Sequence, residues 1–474
     1  MLHFFGGRSV LALLICVLTL GWLQPADAWE TLPRVDRPNV VVFFTDDQGT
    51  LDANCYGSTD LYTPTIDRLA NHGVRFTRAY AHVVCCPSRA MLMTGRYPQR
   101  SDINMWAQGN MKTRKGRNLL QSEVTLAEAL KKVGYRTALF GKWHLGAHAD
   151  HGPTAQGFDQ FFGLRGGFID NYNHFFLHKN GFHDLYEGPN EVFAKGDYFP
   201  DMVTERAVEF IDQNHTEPFL LVVAFNIPHY PEQADPKFDA RYADMPMPRQ
   251  SYAKIVSTTD DRMGRVMARL DRWGLTKNTI VVFMSDNGHS AEDYQIEGPS
   301  HVSGFAEGHN YGANGGGGNT GKWIGNKNTF LEGGVRVPAI ISFPADSSLG
   351  LPQGIVRDQV ITAMDWLPTV LDLCGAPLPK NQLDGQNLVP LIRDATVSTG
   401  YSEVHWQWGD RWAVMVGDWK LIGQQDTPLS LGNLSDEQPE VINHLENQPE
   451  IRKTLWQQHQ QWAAEVKASR QGRK

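Results

Sequence analysis

Two adjacent cysteines begin the segment with the most reactive side chains, residues 85–96, which reads CCPSRAMLMTGR. Disulfide geometry is too demanding for Cys85 and Cys86 to bridge each other readily. The segment predicts a loop that leads into a short helix, with Ser88 as a candidate N-cap. A thiolate at the start of a helix has a lowered pKa, which would suit a cysteine nucleophile. A buried thiol that serves as a small apolar side chain is the structural alternative.

Two pairs of oxygen-bearing side chains each follow a predicted strand. Asp46 and Asp47 come after the apolar run 40–44, and Asp286 and Asn287 come after the run 280–284. Adjacent carboxylates repel each other unless positive charge lies between them. A solvated turn would explain either pair alone, whereas the two together match the preference of calcium or magnesium for oxygen ligands. Zinc would more often bring histidine or thiolate ligands.

Five basic side chains could form an anion-binding pocket beside such an ion: Arg89, Lys142, His144, His229 and Lys327. Taken singly, each is most often a surface charge or a satisfied polar residue. Lys142 and His144 are two residues apart, so on a strand both would point to the same face. Cations near a metal would bind a tetrahedral oxyanion such as sulfate or phosphate, with the histidines as general acid and base.

Apolar, β-rich runs alternate with helical patterns along the chain, which predicts an α/β sheet protein. The predicted strands are 40–44, 135–140, 219–225, 280–284 and 335–343, and the predicted helices are 64–71, 122–134 and 364–374. Thr125 and Glu128 have the spacing of a capping box in the second helix. Ligands of open α/β sheets bind beyond the carboxyl ends of the strands. We therefore expect the polar clusters that follow several strands to converge in space.

The last hundred residues, from about 376, predict a smaller unit with a strand-like stretch at 412–422 and a final helix. One face of that helix is apolar, which is typical of packing against a domain; it carries Ile451, Leu455, Trp462 and Val466. The segment 289–321 is rich in Gly, Ser, His and Asn and is too long for a connector. We interpret it as a functional or disordered loop.

Charge and cysteine content exclude several classes of protein. The 474 residues carry a net charge of −8, from 44 Lys and Arg against 52 Asp and Glu, so nucleic-acid binding through bulk charge is not expected. Residues 1–28 are typical of a signal peptide, because Arg8 precedes an apolar run and Ala26-Asp27-Ala28 fits a cleavage site. We expect an exported, periplasmic or extracellular protein without a stable membrane span. Four cysteines follow residue 28, too few for a disulfide scaffold of this length.

Residues 85–96 resemble the signature of type I sulfatases, C-x-P-S-R followed by four variable residues and T-G-R, at every defined position. In that family the cysteine is oxidised after translation to formylglycine, and the spacing selects Cys85 over Cys86. Other family motifs match in order along nearly the whole mature chain, at Asp46-Asp47, 141–146, 228–231, Asp286-Asn287 and 327–338.

The resemblance implies the alkaline phosphatase-like fold. Its large mixed, mostly parallel sheet would lie between helices in a catalytic domain at 29–375. A smaller C-terminal subdomain at 376–474 would be built on a short antiparallel sheet and a helix.

The resemblance also implies a mechanism in which one Ca²⁺, with Mg²⁺ as the weaker alternative, is held by Asp46, Asp47, Asp286, Asn287 and the modified residue 85. The hydrated formylglycine would attack sulfur and form a covalent sulfate ester of the enzyme, which divides one hard step into two. Arg89 would hold the hydrated side chain, while Lys142 and Lys327 would offset the sulfate charge. His229 would protonate the leaving alcohol, with Lys327 as an alternative. His144 would deprotonate the second hydroxyl and so release sulfate.

The expected substrate is a sulfate ester of a small molecule or an oligosaccharide, most consistent with a sulfated carbohydrate. Several tryptophans could stack on sugar rings or simply belong to the core: Trp323, Trp406, Trp408 and Trp412. A formylglycine-generating enzyme would be a partner during maturation. Three rival interpretations stay open: a phosphate or phosphonate ester hydrolase of the same superfamily, a non-catalytic glycan-binding protein with unconverted Cys85, and a thiol hydrolase.

Overall fold

The computed structural model describes residues 37–106, 111–343 and 349–471. The predicted signal peptide lies outside the described residues. Among the helices that the structure describes, none is long and apolar enough to cross a membrane.

A ten-stranded sheet forms the centre of the molecule. In chain order its strands are Asn39–Asp46 (β1), Gly73–Phe76 (β2), Arg136–Lys142 (β3), Gln160–Leu164 (β4), Tyr186–Glu187 (β5), Asn190–Glu191 (β6), Phe219–Pro228 (β7), Thr279–Ser285 (β8), Ala339–Ser342 (β9) and Ile355–Arg357 (β10). Across the sheet the order is β10-β2-β9-β8-β1-β7-β3-β4-β5-β6. The central strands β8, β1, β7, β3 and β4 are parallel, β10 is parallel to β2, and the remaining neighbours are antiparallel. The predicted mixed, mostly parallel sheet is confirmed.

Both faces of the sheet are buried, as the uninterrupted apolar run in β1 predicts for a parallel sheet. Val40, Val42 and Phe44 belong to the core on one face, and Val41 and Phe43 to the core on the other. The helices that cover the two faces and the C-terminal region are Pro64–Asn71 (α1), Cys85–Thr94 (α2), Leu126–Lys132 (α3), Phe199–Asn214 (α4), Arg249–Arg272 (α5), Glu332–Val335 (α6), Trp366–Leu373 (α7), Val389–Arg393 (α8) and Pro449–Gln471 (α9). Helices α2, α3 and α7 pack on the first face, and α1, α4 and α5 on the second.

The carboxyl ends of the central strands meet at one edge of the sheet. Thr45 of β1 is in register with Ser285 of β8, and Asp46 is in register with Pro228 of β7. Gly141 of β3 pairs with Ala224 of β7. The predicted convergence of the polar clusters after these strands is therefore confirmed.

Two predicted boundaries inside the catalytic region shift. The helix predicted at 122–134 begins only at Leu126, because Thr125 caps it: the Glu128 backbone N–H donates to Thr125 Oγ1 at 3.1 Å, and the Thr125 N–H donates to the Glu128 carboxylate at 2.8 Å. The capping box is confirmed. The strand predicted at 335–343 is wrong at its start, since Val335 ends α6 and β9 begins after Pro338, which has no N–H to donate to a ladder.

The C-terminal region forms a four-stranded antiparallel sheet with strands Val404–Trp408 (β11), Arg411–Val416 (β12), Trp419–Gln424 (β13) and Thr427–Asn433 (β14). The single strand predicted at 412–422 is wrong, because Gly417 in the left-handed region (φ 57°) turns the chain between β12 and β13. Helix α9 packs on this sheet as predicted, with Leu455, Trp462 and Val466 buried and Ile451 partly buried. The division of the chain at residue 375 stays a prediction.

Candidate active site

Cys85 is the first residue of α2, at the carboxyl-end edge of the sheet. Its side chain is buried, and burial raises the pKa of its thiol to about 12 although Lys142 opposes that shift. The expectation of a lowered thiol pKa is wrong, since burial, with the carboxylates of Asp46 and Asp286, outweighs the nearby lysines. Ser88 is not the N-cap: Val84 occupies that position, and the Ser88 hydroxyl accepts from the His82 N–H at 2.8 Å and donates to the Val84 carbonyl.

Arg89 lies one helical turn after Cys85, so both side chains leave the same face of α2. One guanidinium nitrogen donates to Asp286 Oδ2 at 2.9 Å, and the other donates to the Lys142 carbonyl at 2.8 Å. Arg89 thus links α2 to the ends of β8 and β3. Burial opposes its charge, but Asp286 and Asp46 more than compensate and raise the pKa of Arg89.

Asp46 ends β1 and forms an ion pair with the last residue of β3, as Lys142 Nζ donates to Asp46 Oδ2 at 2.5 Å. Both side chains are fully buried. Burial opposes the ionisation of Asp46, but the nearby cations, Lys142 foremost, hold its pKa below the ordinary value. Asp286 differs: burial and the Asp46 carboxylate raise its pKa to about 7.

Asp47 collects the second set of contacts, with its backbone in the left-handed region at φ 63°. Lys327 Nζ donates to Asp47 Oδ2 at 2.9 Å, and Asn287 Nδ2 donates to Asp47 Oδ1 at 2.6 Å. His229 Nε2 lies 3.6 Å from Asp47 Oδ2. The Asp47 N–H also donates to Asp286 Oδ1, at 3.2 Å, so the two carboxylate-bearing strand ends are directly connected.

The donor atoms fit a hard cation. Ligand atoms of Asp46, Cys85 and Asp286 lie within 4.8 Å of one another, and so do those of Asp46, Asp47 and His229. Two buried oxygens, Asp46 Oδ1 and Asn287 Oδ1, have no hydrogen-bond partner among the described residues. Buried carboxylates at this spacing repel one another, and this repulsion adds to the effect of burial in raising the pKa of Asp286. A cation with oxygen ligands would satisfy the two free oxygens and remove the repulsion.

The two predicted catalytic histidines are held in different ways. His229 donates from Nδ1 to the Tyr230 carbonyl at 2.5 Å, so Nε2 is the nitrogen that faces Asp47. Burial and the Lys327 cation lower the pKa of His229. His144 lies beyond the end of β3 with φ 56°, so the expected shared strand face with Lys142 is wrong. Both its ring nitrogens are buried without partners in the described chain, and burial together with Lys142 holds its pKa well below the ordinary value.

All the residues predicted for the site thus lie in one buried cluster, but three neighbours were not predicted. Glu292 forms an ion pair with Lys327 at 3.3 Å. Burial would raise the pKa of the Glu292 carboxyl, but the Lys327 cation outweighs burial and lowers this pKa to about 2. Trp106 stacks on His144 with ring centroids 6.0 Å apart. Phe168 stacks on His229 with centroids 5.1 Å apart. None belongs to a motif, and only the placement of Glu292 in the unusual 289–321 segment is a signal that could have found it.

That segment contains an antiparallel pair, Asp293–Gln295 with Asn310–Asn314. Three of the four tryptophans named as candidates for sugar stacking are fully packed in the interior: Trp406, Trp408 and Trp412. Trp406 donates to the Ala81 carbonyl, and Trp412 stacks on Trp456 of α9, so the core interpretation holds for them.

A model of the Sulfatase family matches residues 38–376 of this chain. The chain belongs to the sulfatase family. Mouse Arylsulfatase J is 30% identical over 377 residues, with 78% of this chain and 58% of that protein covered. The N-acetylgalactosamine-6-O-sulfatase of Bacteroides thetaiotaomicron is 27% identical, with 91% and 92% covered. The crystal structure of Ps i-CgsB in complex with k-i-k-neocarrahexaose superimposes with a TM-score of 0.76 at 27% identity and covers 90% of this chain and 92% of that one.

These findings confirm the family, the alkaline phosphatase-like fold and the class of sulfuric ester hydrolases. The signature segment lies inside the matched range, as do the strand ends that carry Asp46, Asp47, Asp286 and Asn287. The roles of individual residues in this sulfatase stay predictions.

Proposed function

We propose that this sulfatase hydrolyses sulfate esters of carbohydrates with a formylglycine made from Cys85. The observation that carries the proposal is the position of Cys85: it begins α2, and its sulfur lies in one cluster with carboxylate oxygens of Asp46 and Asp286. As a cysteine, this side chain is a poor nucleophile because burial keeps its thiol protonated. Conversion to formylglycine would supply a hydrated aldehyde whose hydroxyl can attack sulfur.

The cation proposed here is calcium, with magnesium as the weaker alternative, because the donors are carboxylate and amide oxygens. Asp46, Asp47, Asp286, Asn287 and residue 85 would hold it. Such an ion would act as a Lewis acid on a sulfate oxygen.

Three cations of this chain would bind and orient the sulfate group. Lys142 and Lys327 lie on opposite sides of the carboxylate pair, one bonded to Asp46 and the other to Asp47. Both ammonium groups are buried, so their attraction for a sulfate oxygen would be little screened by water. Arg89 is held by Asp286 and the Lys142 carbonyl, which fixes it next to residue 85.

Proton transfer is assigned to the two histidines. The Nδ1–H of His229 is used by the Tyr230 carbonyl, which leaves Nε2 to carry and deliver a proton to the leaving oxygen. An anionic ester bound next to it would favour the imidazolium form. His144, buried beside Lys142, would take the proton from the second hydroxyl of residue 85 when sulfate is released.

The carbohydrate part of the proposal is supported by relatives that cover this chain almost completely. One is named an N-acetylgalactosamine-6-O-sulfatase, and the other was crystallised with a neocarrahexaose. Export through residues 1–28 is part of the same proposal, because sulfated polysaccharides are too large to enter a cell unaided. Maturation by a formylglycine-generating enzyme is also part of it, because Cys85 must be converted.

The proposal is tested with Cys85→Ser. The serine hydroxyl can attack sulfur, but it lacks the second hydroxyl whose deprotonation expels sulfate, so we expect at most one turnover. Sulfate release from a nitrophenyl sulfate and from a panel of sulfated sugars is measured over many enzyme equivalents, together with peptide mass spectrometry across residue 85.

Wild-type protein should show the mass of formylglycine and sustained sulfate release, and Cys86→Ser should behave in the same way. Sustained turnover by Cys85→Ser would contradict the mechanism. Faster hydrolysis of nitrophenyl phosphate or phosphonate than of the sulfate would favour the rival ester class. An unconverted Cys85 without turnover would favour a glycan-binding protein.

A further inference from the structure

An exposed cluster of positive charge lies close to the site in a chain that is acidic as a whole. Lys112, Arg114, Lys115 and Arg117 fall within six residues, and the first three are exposed. Arg114 has 76% of its side chain accessible and forms a surface ion pair with Asp150. Surface ion pairs of this kind contribute little to stability, so this pair gives little structural reason for the charge at Arg114. We call residues 111–118 the basic segment.

Two hydrogen bonds, one from the basic segment and one from the residue that follows it, connect this part of the chain to neighbours of His144. Arg117 donates to Asn104 Oδ1 at 2.8 Å, two residues before Trp106, whose ring stacks on His144. The Leu119 N–H donates to the Leu145 carbonyl at 2.7 Å, one residue after His144. The carboxyl end of the basic segment is therefore anchored to two stretches of chain next to His144, the one that leads to Trp106 and the one that follows His144.

The charge inside the site cannot serve a longer anionic ligand. Lys142 and Lys327 are buried, and each is already paired with a carboxylate of the metal-ligand set. The exposed cations of the basic segment are the ones that an anion outside the pocket would meet first. Clustered surface charge raises the local concentration of an oppositely charged ligand and speeds its association.

We propose that the basic segment binds the part of a multiply sulfated oligosaccharide that extends out of the site past Trp106. The inference rests on the proposed sulfatase function and deepens it: the substrate would be a polyanion with sulfate groups on more than one sugar, rather than a singly sulfated small molecule.

The test compares three proteins: wild type, the triple variant Lys112→Gln/Arg114→Gln/Lys115→Gln, and a matched triple variant Lys132→Gln/Arg272→Gln/Lys277→Gln. The matched set removes three exposed cations that precede β3 and β8, at the opposite end of the strands from the site. The probe is a fluorescent dextran sulfate hexasaccharide, and its binding is followed by anisotropy from 20 to 300 mM NaCl. Hydrolysis of nitrophenyl sulfate is measured on the same samples.

Wild type should bind the probe with an affinity that falls steeply with salt, because exposed charges are screened over about 10 Å at 0.1 M. The first triple variant should bind about tenfold more weakly at 20 mM NaCl, with a shallower salt dependence and unchanged nitrophenyl sulfate hydrolysis. The matched variant should bind like wild type.

Equal binding by the first triple variant, an equal loss in the matched variant, or no binding by wild type would overturn the inference. A parallel loss of nitrophenyl sulfate hydrolysis would also overturn it, because the segment would then act through the structure of the site. Failure of the proposed function has a different signature: wild type would hydrolyse no sulfate ester, whatever its binding.

Discussion

At the scale of single residues, the site is a balanced set of buried charges. Three carboxylates face three cations, so the six formal charges cancel: Asp46, Asp47 and Asp286 against Arg89, Lys142 and Lys327. An anionic ester would gain little from a neutral cluster. A bound divalent cation would give the cluster the ion's own positive charge, which is what an acidic protein needs in order to hold sulfate. Glu292, outside this set, partly offsets that charge on the Lys327 side.

Replacing His229 with alanine should damage the hydrolysis of different sulfate esters unequally. A sugar alcohol is a poor leaving group and needs a proton, so kcat/KM for a sugar sulfate should fall by about 10²- to 10⁴-fold. A nitrophenolate leaves without protonation, so the loss on nitrophenyl sulfate should stay below about tenfold. The measurement is kcat/KM for both esters with wild type and His229→Ala.

His178→Ala is the matched control for this experiment. His178 also contacts Phe168, edge-on where His229 stacks, but it hydrogen-bonds the Tyr230 hydroxyl instead of facing Asp47. We expect any loss in this variant to be equal on the two esters. Equal losses on the two esters in His229→Ala as well would remove the proposed acid role.

At the scale of elements, the parts of the site that could be predicted are those attached to regular strands. An apolar run fixes β1 or β8, and the polar pair that follows it must then lie at the carboxyl-end edge of the sheet. Glu292 and Trp106 could not be predicted, because they lie in irregular segments. Their contacts with Lys327 and His144 are long-range, and no periodic pattern in the sequence indicates them. The turn at Gly417 could not be placed from apolar content alone, because apolar residues continue on both sides of it, at 412–416 and 419–422.

Because the proposed metal donors come from the ends of two strands and from α2, an ion should join these elements and stabilise the fold. Calcium that binds only the folded state raises the free energy of unfolding by about 2.7 kcal/mol at a hundred times its Kd. We expect the thermal midpoint to rise with Ca²⁺ after treatment with EDTA, and less with Mg²⁺, which demands near-ideal octahedral coordination and loses its water reluctantly. Differential scanning calorimetry measures both.

Asp286→Asn is the comparison for the calcium experiment, since it removes one donor charge and keeps the side-chain shape. Calcium should raise its midpoint far less than that of wild type. An equal rise in the variant, or no rise in wild type, would show that the ion does not bind between these strand ends.

At the scale of the whole molecule, a buried charge network joins the C-terminal sheet to the part of the chain that carries Lys327. Lys420 of β13 donates to Glu332 of α6 at 2.6 Å and to the Phe330 carbonyl at 3.0 Å, and it pairs with Glu440 at 2.8 Å. Glu332 also accepts from Arg336 and from the Tyr80 hydroxyl, each at 3.0 Å. Removal of one member from such a network leaves uncompensated buried charge.

Lys420→Met should therefore lower the free energy of unfolding by about 3–5 kcal/mol at pH 7, measured by urea denaturation. In wild type, burial opposes the ionisation of Glu332, but Lys420 and Arg336 hold its pKa below the ordinary value. The ionised Glu332 carboxylate therefore stabilises the fold above its unfolded-state pKa, and this stabilisation is lost as pH falls. In the variant, Glu440 loses its lysine and Glu332 keeps only Arg336 as a cation, so the pKa values of both carboxyls should be higher than in wild type and stability should recover as pH falls. The difference in the free energy of unfolding between wild type and Lys420→Met should thus narrow from pH 7 towards pH 4.

The control is Lys237→Met, which removes an exposed lysine paired with Asp261 and should lower the free energy of unfolding by at most about 1 kcal/mol. A Lys420→Met deficit as small as that, or one that grows as the pH falls, would show that the network does not hold the two parts of the molecule together.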